Sequence, residues 1–166
     1  MRVDNEVLNV LSNAETNGNV LKLVGQLDRN LYTRTNKVLE AAGGLVDCYE
    51  LMDSNFASLV EAKIVCAWQQ DFLTVEPNPI YDRVVMNPPF DKQADIKHVM
   101  HALKFLKPDG LLVSVMSAGV TFRDNKLTVD FRALIRERGG DIEALPDGSF
   151  KESGTGVNTV IVTIPA

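Results

Sequence analysis

The chain reads Tyr81-Asp82-Arg83-Val84-Val85-Met86-Asn87-Pro88-Pro89-Phe90 near its middle, where a short apolar run meets two consecutive prolines. Val84, Val85 and Met86 indicate a buried strand, because a continuous run rich in β-branched residues suits a sheet covered on both faces. The prolines end the ladder of hydrogen bonds and keep Asn87 out of the helical region. We therefore expect a stiff loop at the carboxyl end of a central strand, where open α/β sheets bind ligands.

This loop carries three groups that suit an amino group attached to a planar ring. The Asn87 side-chain oxygen and the Pro88 carbonyl can both accept hydrogen bonds from an exocyclic NH2. Accepting both protons draws the nitrogen lone pair out of conjugation, which makes the nitrogen a better nucleophile. Phe90 supplies an aromatic surface on which a nucleobase can stack once it has left a duplex. A plain strand-terminating Pro-Pro turn is the alternative interpretation.

The motif resembles the catalytic loop of amino-directed DNA methyltransferases, chiefly adenine-N6 enzymes that use S-adenosylmethionine. The resemblance implies that Asn87, Pro88, Pro89 and Phe90 form the catalytic loop and that the methyl acceptor is the amino group of a flipped adenine. It also implies a Rossmann-like class I methyltransferase fold. Residues 44–166 resemble the later two thirds of such a domain, with the motifs in the expected order.

The composition is that of an ordinary globular protein, with 45% hydrophobic and 23% charged residues among 166. About 70% of the unfolded surface can be buried at this size, so one domain with a substantial core is expected. No apolar run approaches the roughly 20 residues of a membrane span, and no secretion signal opens the chain, which predicts a cytoplasmic protein. The net charge of -5 argues mildly against a dedicated nucleic-acid binder, which would usually be basic.

The two cysteines, Cys48 and Cys66, lie in apolar strand-like runs, and this placement predicts buried free thiols. No Cys-x-x-Cys pair or cluster of histidines accompanies them, so no metal site is expected. Free thiols agree with a cytoplasmic setting.

The chain divides into a helical N-terminal arm, residues 1–43, and a domain, residues 44–166. The arm contains no convincing strand, because Val20, Leu23, Val24 and Leu27 follow helical spacing. In the domain, strands are expected at 45–51, 64–67, 83–86, 111–116, 142–145 and 157–164, and helices at 54–62, 93–106 and 127–138. The last strand alternates as an antiparallel one would. This pattern predicts a three-layer α/β sandwich with a mixed sheet.

Three residues match what the resemblance implies for cofactor binding. Glu50 closes a predicted strand, and an acid at a strand end can accept bonds from both ribose hydroxyls. An exposed loop carboxylate is the alternative for Glu50. Asp71-Phe72 resembles the pair that contacts the adenine of the cofactor, with Asp71 bonding the amino group and Phe72 packing on the ring. Asp71 could equally cap a helix or turn.

A further loop resembles the segment of this family that lies beside the target base. It reads Phe150-Lys151-Glu152-Ser153-Gly154-Thr155-Gly156 and enters a predicted strand. Phe150 could stack on a base, while the small residues Ser153, Gly154 and Thr155 would let a nucleotide approach. A flexible hairpin loop is the competing interpretation.

One element of the family is missing from the pattern. A strand followed by an acidic-x-Gly-x-Gly loop and a helix should precede Glu50 and hold the methionine part of S-adenosylmethionine. Gly43-Gly44 cannot replace it, because no predicted strand precedes these glycines. We therefore expect a shortened domain with a damaged cofactor pocket. The missing strand would lie between the strand that ends at Glu50 and the strand that precedes Asn87. This central slot would be closed by direct pairing of those two strands, or filled by a strand from a dimer partner.

Two functions follow from these observations. The first is an adenine-N6 DNA methyltransferase-like protein, which the missing loop could leave inactive as this chain alone. The second is a non-catalytic binding or inhibitor protein on a methyltransferase scaffold, of the kind carried by phages and mobile elements. Its partner would be DNA, another protein or a second copy of the chain, and not a membrane. S-adenosylmethionine is the cofactor that the first function requires.

Overall fold

The computed structural model describes residues 19–23, 45–61, 66–146 and 157–166, and for residues 19–23 it gives the course of the backbone. Within these ranges a seven-stranded sheet has the order β3-β2-β1-β4-β5-β7-β6. The strands are β1 (Asn19–Leu23), β2 (Leu45–Glu50), β3 (Ala67–Gln69), β4 (Tyr81–Met86), β5 (Leu106–Ser117), β6 (Asp141–Ala144) and β7 (Thr159–Pro165). Strands β1 to β5 pair in parallel, whereas β7 is antiparallel to both β5 and β6. The predicted mixed sheet is confirmed.

Strand β1 corrects the expectation that the sheet lacks its first strand. It lies between β2 and β4 and is parallel to both, with Leu21 opposite Asp47 on one side and Val84 on the other. The predicted helix over Val20–Leu27 is therefore wrong at residues 19–23. A short continuous apolar run satisfies helical and strand spacing alike, and the open slot between two parallel strands decides in favour of the strand.

Filling the central slot removes the argument for a strand supplied by a dimer partner. Strands β2 and β4 do not pair with each other, since β1 separates them. A hydrogen bond also spans β1: the Tyr81 hydroxyl of β4 donates to Oδ2 of Asp47 on β2 over 2.7 Å. Burial and this bond both raise the pKa of Tyr81. The sheet therefore extends into the predicted N-terminal arm, and the rest of that arm lies outside the described residues.

Helices cover both faces of the sheet. The α-helices are α1 (Asp53–Glu61), α2 (Ala94–Ala102), the one-turn α3 (Gly119–Phe122) and α4 (Lys126–Glu137). Helices α2 and α4 bury Ile96, Val99 and Phe131 in the cluster that contains Val84 and Met86 of β4. On the other face α1 buries Leu59 against Val46 and Val85. These two apolar clusters give the three layers that the alternating pattern predicts.

The element boundaries follow the sequence pattern with local shifts. The helix expected at 93–106 is α2 followed by a 3₁₀ turn, Leu103–Phe105. The strand expected at 64–67 is seen as β3 at Ala67–Gln69, while residues 64 and 65 lie outside the described ranges. The expectation for the thiols is half right, because Cys48 is buried and Cys66 is exposed. Cys66 precedes a three-residue edge strand, where one side of the backbone faces solvent. No described helix is long and apolar enough to cross a membrane.

Candidate functional site

The strand order places a ligand crevice at the carboxyl ends of β1 and β4. From β1 the chain proceeds outward through β2 to β3, and from β4 it proceeds in the opposite direction to β5. Helical connections on either side of such a reversal leave a gap at the carboxyl edge of the sheet, and open α/β sheets bind ligands there. Asn87 follows β4 immediately, so the Asn-Pro-Pro-Phe loop begins at this point.

Asn87 carries an acceptor that the described protein does not satisfy. Its side chain is 5% exposed, and Oδ1 is buried without a hydrogen-bond partner among the described residues. Leaving a buried acceptor unpaired costs about 1–3 kcal/mol, so a native protein rarely keeps one without a use. Pro88 is also buried, and no bond to its carbonyl is formed in the described ranges. Both predicted acceptors therefore lack a hydrogen-bond partner among the described residues, and both residues are buried.

The rest of the loop differs in exposure from one residue to the next. Pro89 is exposed, whereas Phe90 is half-buried and packs against the cluster that contains Val85 and Val113. Because packing holds one part of the Phe90 side chain, the exposed part is presented in a fixed orientation. The stacking of Phe90 on a nucleobase stays a prediction.

Glu50 ends β2 and is buried, so the alternative of an exposed loop carboxylate is wrong. Its side chain is 3% exposed; Oε1 accepts a bond from the Met52 N–H over 2.7 Å, and Oε2 accepts one from Nδ2 of Asn55 over 3.1 Å. These bonds fix the carboxylate at the amino end of α1. A carboxylate has about four acceptor positions, so two bonds leave capacity for ribose hydroxyls.

Asp71 and Phe72 follow β3 and take different positions. Asp71 caps the 3₁₀ turn Phe72–Thr74, with Oδ1 accepting the Leu73 N–H over 3.0 Å, as the capping alternative predicts. Phe72 is buried among aromatic rings, with ring centroids 5.0 Å from His101 and 5.1 Å from Phe105. Phe72 therefore packs in this aromatic cluster, and its contact with a cofactor ring stays a prediction.

The sequence analysis missed Asp95, a buried carboxylate behind the Asn-Pro-Pro-Phe loop. Asp95 is 1% exposed and lies in the first turn of α2. Its Oδ1 accepts the Ile96 N–H over 3.0 Å, and its Oδ2 accepts the N–H of Ser117, the last residue of β5, over 3.1 Å. Acids are common in the first turn of any helix, so the local pattern does not distinguish this buried acid from an exposed one. It joins the helix after the loop to the strand beside it.

The remaining predicted site residues lie outside the described residues. They are Phe150, Ser153, Gly154 and Thr155, in the loop that precedes β7. Their role beside a target base stays a prediction. The loop rejoins the described chain at Val157, and the Asn158 carbonyl accepts the Ala118 N–H over 2.8 Å. The chain therefore returns to the sheet next to the carboxyl end of β5.

Glu50 and Asp95 make folding stability depend on pH. Burial raises the pKa of both carboxyls, against the hydrogen bonds that lower it. In the pH window between the ordinary pKa and the raised one, the folded state binds more protons than the unfolded state, so the free energy of unfolding falls as pH rises.

We expect Glu50→Gln to reduce this fall in the free energy of unfolding, because glutamine does not titrate. Chemical denaturation of both proteins between about pH 4 and pH 7 checks this. A stability difference between variant and wild type that is constant with pH would contradict it.

The described residues fit the adenosine half of S-adenosylmethionine. Glu50 retains acceptor capacity at the carboxyl end of β2, and the second carboxylate oxygen of Asp71, Oδ2, is not used by the turn cap. The segment after β1, which would face the methionine half, lies outside the described residues. The sequence after β1 reads Val24-Gly25-Gln26-Leu27-Asp28, with one glycine where the acidic-x-Gly-x-Gly pattern of the family has two. The departure from the family is therefore in this loop and not in the strand before it.

Solved structures of other proteins resemble this chain in fold at low sequence identity. No family model matches the chain, and no curated protein does. N-methyltransferase NodS from Bradyrhizobium japonicum WM9, also solved with S-adenosyl-l-homocysteine, is 11% identical at a TM-score of 0.66, covering 99% of this chain and 94% of that one. TrmN from Thermus thermophilus is 17% identical at a TM-score of 0.66, and the match covers 98% of this chain and 47% of that one.

A chain of the type I R-M system is similar over the whole length of this protein. It is 15% identical at a TM-score of 0.74, covering 99% of this chain and 41% of that one. The chain thus spans less than half the length of TrmN and of the R-M chain. At these identities the likeness establishes the fold alone, a Rossmann-like α/β sandwich that this chain shares with the N-methyltransferase NodS.

Proposed function

We propose that this chain is an adenine-N6 DNA methyltransferase that transfers a methyl group from S-adenosylmethionine to the amino group of a flipped adenine. The observation that carries the proposal is the buried, unpaired Oδ1 of Asn87 at the reversal of strand order. An amino group has two protons to donate, and the Pro88 carbonyl is the second acceptor of the same loop.

The loop residues act on the adenine amine. Asn87 Oδ1 and the Pro88 carbonyl accept hydrogen bonds from the two N–H groups of the amine. The nitrogen lone pair then points out of the plane of the ring, where it can attack. Phe90 stacks on the flipped base and holds the amine at this orientation. Because Oδ1 is buried, the amine reaches it only after the groups that cover it move. When bound, S-adenosylmethionine would supply an electrophilic methyl group and leave as S-adenosylhomocysteine, while the methylated amine would lose one proton to solvent.

Two acidic residues would hold the adenosine half of the cofactor. Glu50 accepts hydrogen bonds from the ribose hydroxyls, using the acceptor positions that Met52 and Asn55 leave open. Asp71 accepts a bond from the adenine amino group through the oxygen not used by its turn cap. Strand β1 ends at Leu23, and the segment that follows it in the sequence would bind the methionine half.

A non-catalytic binding protein on the same scaffold is the second candidate. It is favoured by the sequence after β1, where one glycine replaces the acidic-x-Gly-x-Gly pattern. The net charge of -5 favours a protein partner over free DNA, because phosphate binding needs cations. In this candidate the Asn87 loop would bind an amino group without transferring anything to it. Phage or mobile-element origin and an inhibitory role belong to this candidate.

Calorimetric titration with S-adenosylmethionine and S-adenosylhomocysteine separates the two candidates. The enzyme is expected to bind both in the micromolar range. Glu50→Gln should weaken binding about tenfold or more, since it removes charge-assisted hydrogen bonds to the ribose. Glu61→Gln, an exposed acid at the end of α1, is the matched control and should bind as the wild type does. Absence of binding up to millimolar ligand would reject the enzyme.

A further inference from the structure

The link between the Asn-Pro-Pro-Phe loop and helix α2 has an unusual backbone. Lys92 and Gln93 are consecutive residues with left-handed conformations, at φ 48° and 60°. Residues with a Cβ rarely adopt this region, and glycine or asparagine normally occupies it. Neither residue is of a type that favours the conformation, so a contact outside the link must hold it.

The side chain of Gln93 supplies such a contact, which we call the Gln93 tether. Its Nε2 donates to Oγ1 of Thr128 over 2.6 Å and lies 3.3 Å from Oδ1 of Asn125. Thr128 is fully buried, and Asn125 caps α4 through the Thr128 N–H. The tether therefore joins the link to the fixed amino end of another helix. Asparagine would suit the backbone but is too short, and glycine has no side chain to reach.

Helix α2 is held in place independently of the tether. Asp95 binds it to the end of β5, and Ile96 and Val99 are buried in the core. Strand β4 likewise fixes the other end of the loop, through pairing with β1 and β5. The tether thus has no evident task in placing α2 or β4. What it controls is the course of the chain between Phe90 and α2.

We propose that Gln93 is a positioning residue for the Asn-Pro-Pro-Phe loop, and that its bond to Thr128 sets the orientation in which Phe90, Pro88 and Asn87 meet the nucleobase. The role in methyl transfer rests on the proposed function. The role of the tether in fixing the course of the loop does not depend on that function, because it follows from the backbone of Gln93 and its bond to Thr128 alone. Without the tether, the chain between Phe90 and α2 could take more than one course, and the loop would present its acceptors to the amine in a range of orientations.

Three variants test the tether. Gln93→Asn keeps a residue that tolerates the left-handed backbone but cannot reach Thr128. Thr128→Val removes the hydroxyl at nearly constant volume, and Thr128→Ser restores it. For each, kcat and KM are measured on DNA, together with the melting temperature and the amide hydrogen exchange of residues 90–93.

Gln93→Asn and Thr128→Val are expected to lower kcat about ten- to a hundredfold, the range that misplacement of a reacting group by about 1 Å produces. The KM for S-adenosylmethionine should stay unchanged, and exchange at residues 90–93 should accelerate. The melting temperature of Gln93→Asn should move by less than about 4 °C. Thr128→Ser should recover most of the wild-type kcat, because a hydroxyl again accepts the bond.

A Gln93→Asn protein with the kcat and the amide hydrogen exchange of the wild type would overturn the proposal. A Thr128→Ser protein whose kcat is as low as that of Thr128→Val would also overturn it. A wild-type protein that methylates no DNA would instead refute the proposed function. In that case the exchange rates decide the tether by themselves: acceleration in both tether variants supports it, and unchanged rates refute it.

Discussion

Asn87→Ala is expected to lower methyl transfer about a hundredfold or more while the protein stays folded. Removing one preorganised polar group from a transition-state site typically costs a factor of about 10²–10³. Stability should be unchanged or slightly raised, because Oδ1 of Asn87 has no partner among the described residues to lose. Methyl transfer at saturating S-adenosylmethionine and thermal unfolding are the two measurements.

The control for this substitution is Asn78→Ala. Asn78 is exposed in the segment before β4, so the same change of side chain there should leave both measurements at wild-type values. Equal activity of Asn87→Ala and wild type would reject the assigned chemistry. Unfolding of Asn87→Ala would show that the side chain serves packing, in contradiction to its unpaired acceptor.

Leu21→Pro is expected to prevent the sheet from forming. Leu21 lies at the middle of β1, between Asp47 of β2 and Val84 of β4. Proline has no N–H for the ladder and costs about 3 kcal/mol or more inside regular structure, out of a total stability of about 5–15 kcal/mol. Loss of the cooperative unfolding transition is the expected result, measured by circular dichroism and denaturant titration.

Glu76→Pro is the matched control for the proline. Glu76 is exposed outside regular structure, and the preceding Val75 has φ -73° and ψ 129°, which a following proline permits. This variant should unfold as the wild type does. If Leu21→Pro also kept a wild-type transition, residues 19–23 would not be a central strand and the expectation of a shortened domain would return.

Much of the fold was predictable because periodicity and turn residues agree with the tertiary structure. The apolar run before Asn87 forms β4, and the helix expected at 127–138 is α4 at Lys126–Glu137. The final strand pairs antiparallel with β5, as its alternation predicts. In these segments one face is apolar and the ends carry glycine, proline or a capping residue, so local preference and burial point to the same structure.

Strand β1 could not be predicted because its preference is set by its neighbours. Residues 20–24 are nearly all apolar, and such a run fits a helix face and a doubly covered strand equally well. Only the presence of β2 and β4 on either side, both needing a partner, selects the strand. The mistaken helix then produced the mistaken conclusion that the central strand was missing.

The candidate site was predictable in its positions and less so in its contacts. Glu50 ends a strand, and Asn87 and Asp71 follow the carboxyl ends of strands, as expected from the pattern. Burial of Phe72 and Asp95 depends on helix α2, which brings His101 against the phenylalanine ring and its own first turn against β5. Contacts of this kind join residues 20 to 30 positions apart, and a local pattern does not encode them.

The most direct test of the central claim is the search for N6-methyladenine as a product. Unmethylated genomic DNA, duplex and single-stranded, is incubated with the protein and methyl-labelled S-adenosylmethionine, then digested to nucleosides and examined by mass spectrometry. We predict labelled N6-methyladenine with the wild type and a yield about a hundredfold lower with Asn87→Ala. Label on another nucleoside, or none on either form of DNA, would contradict the account.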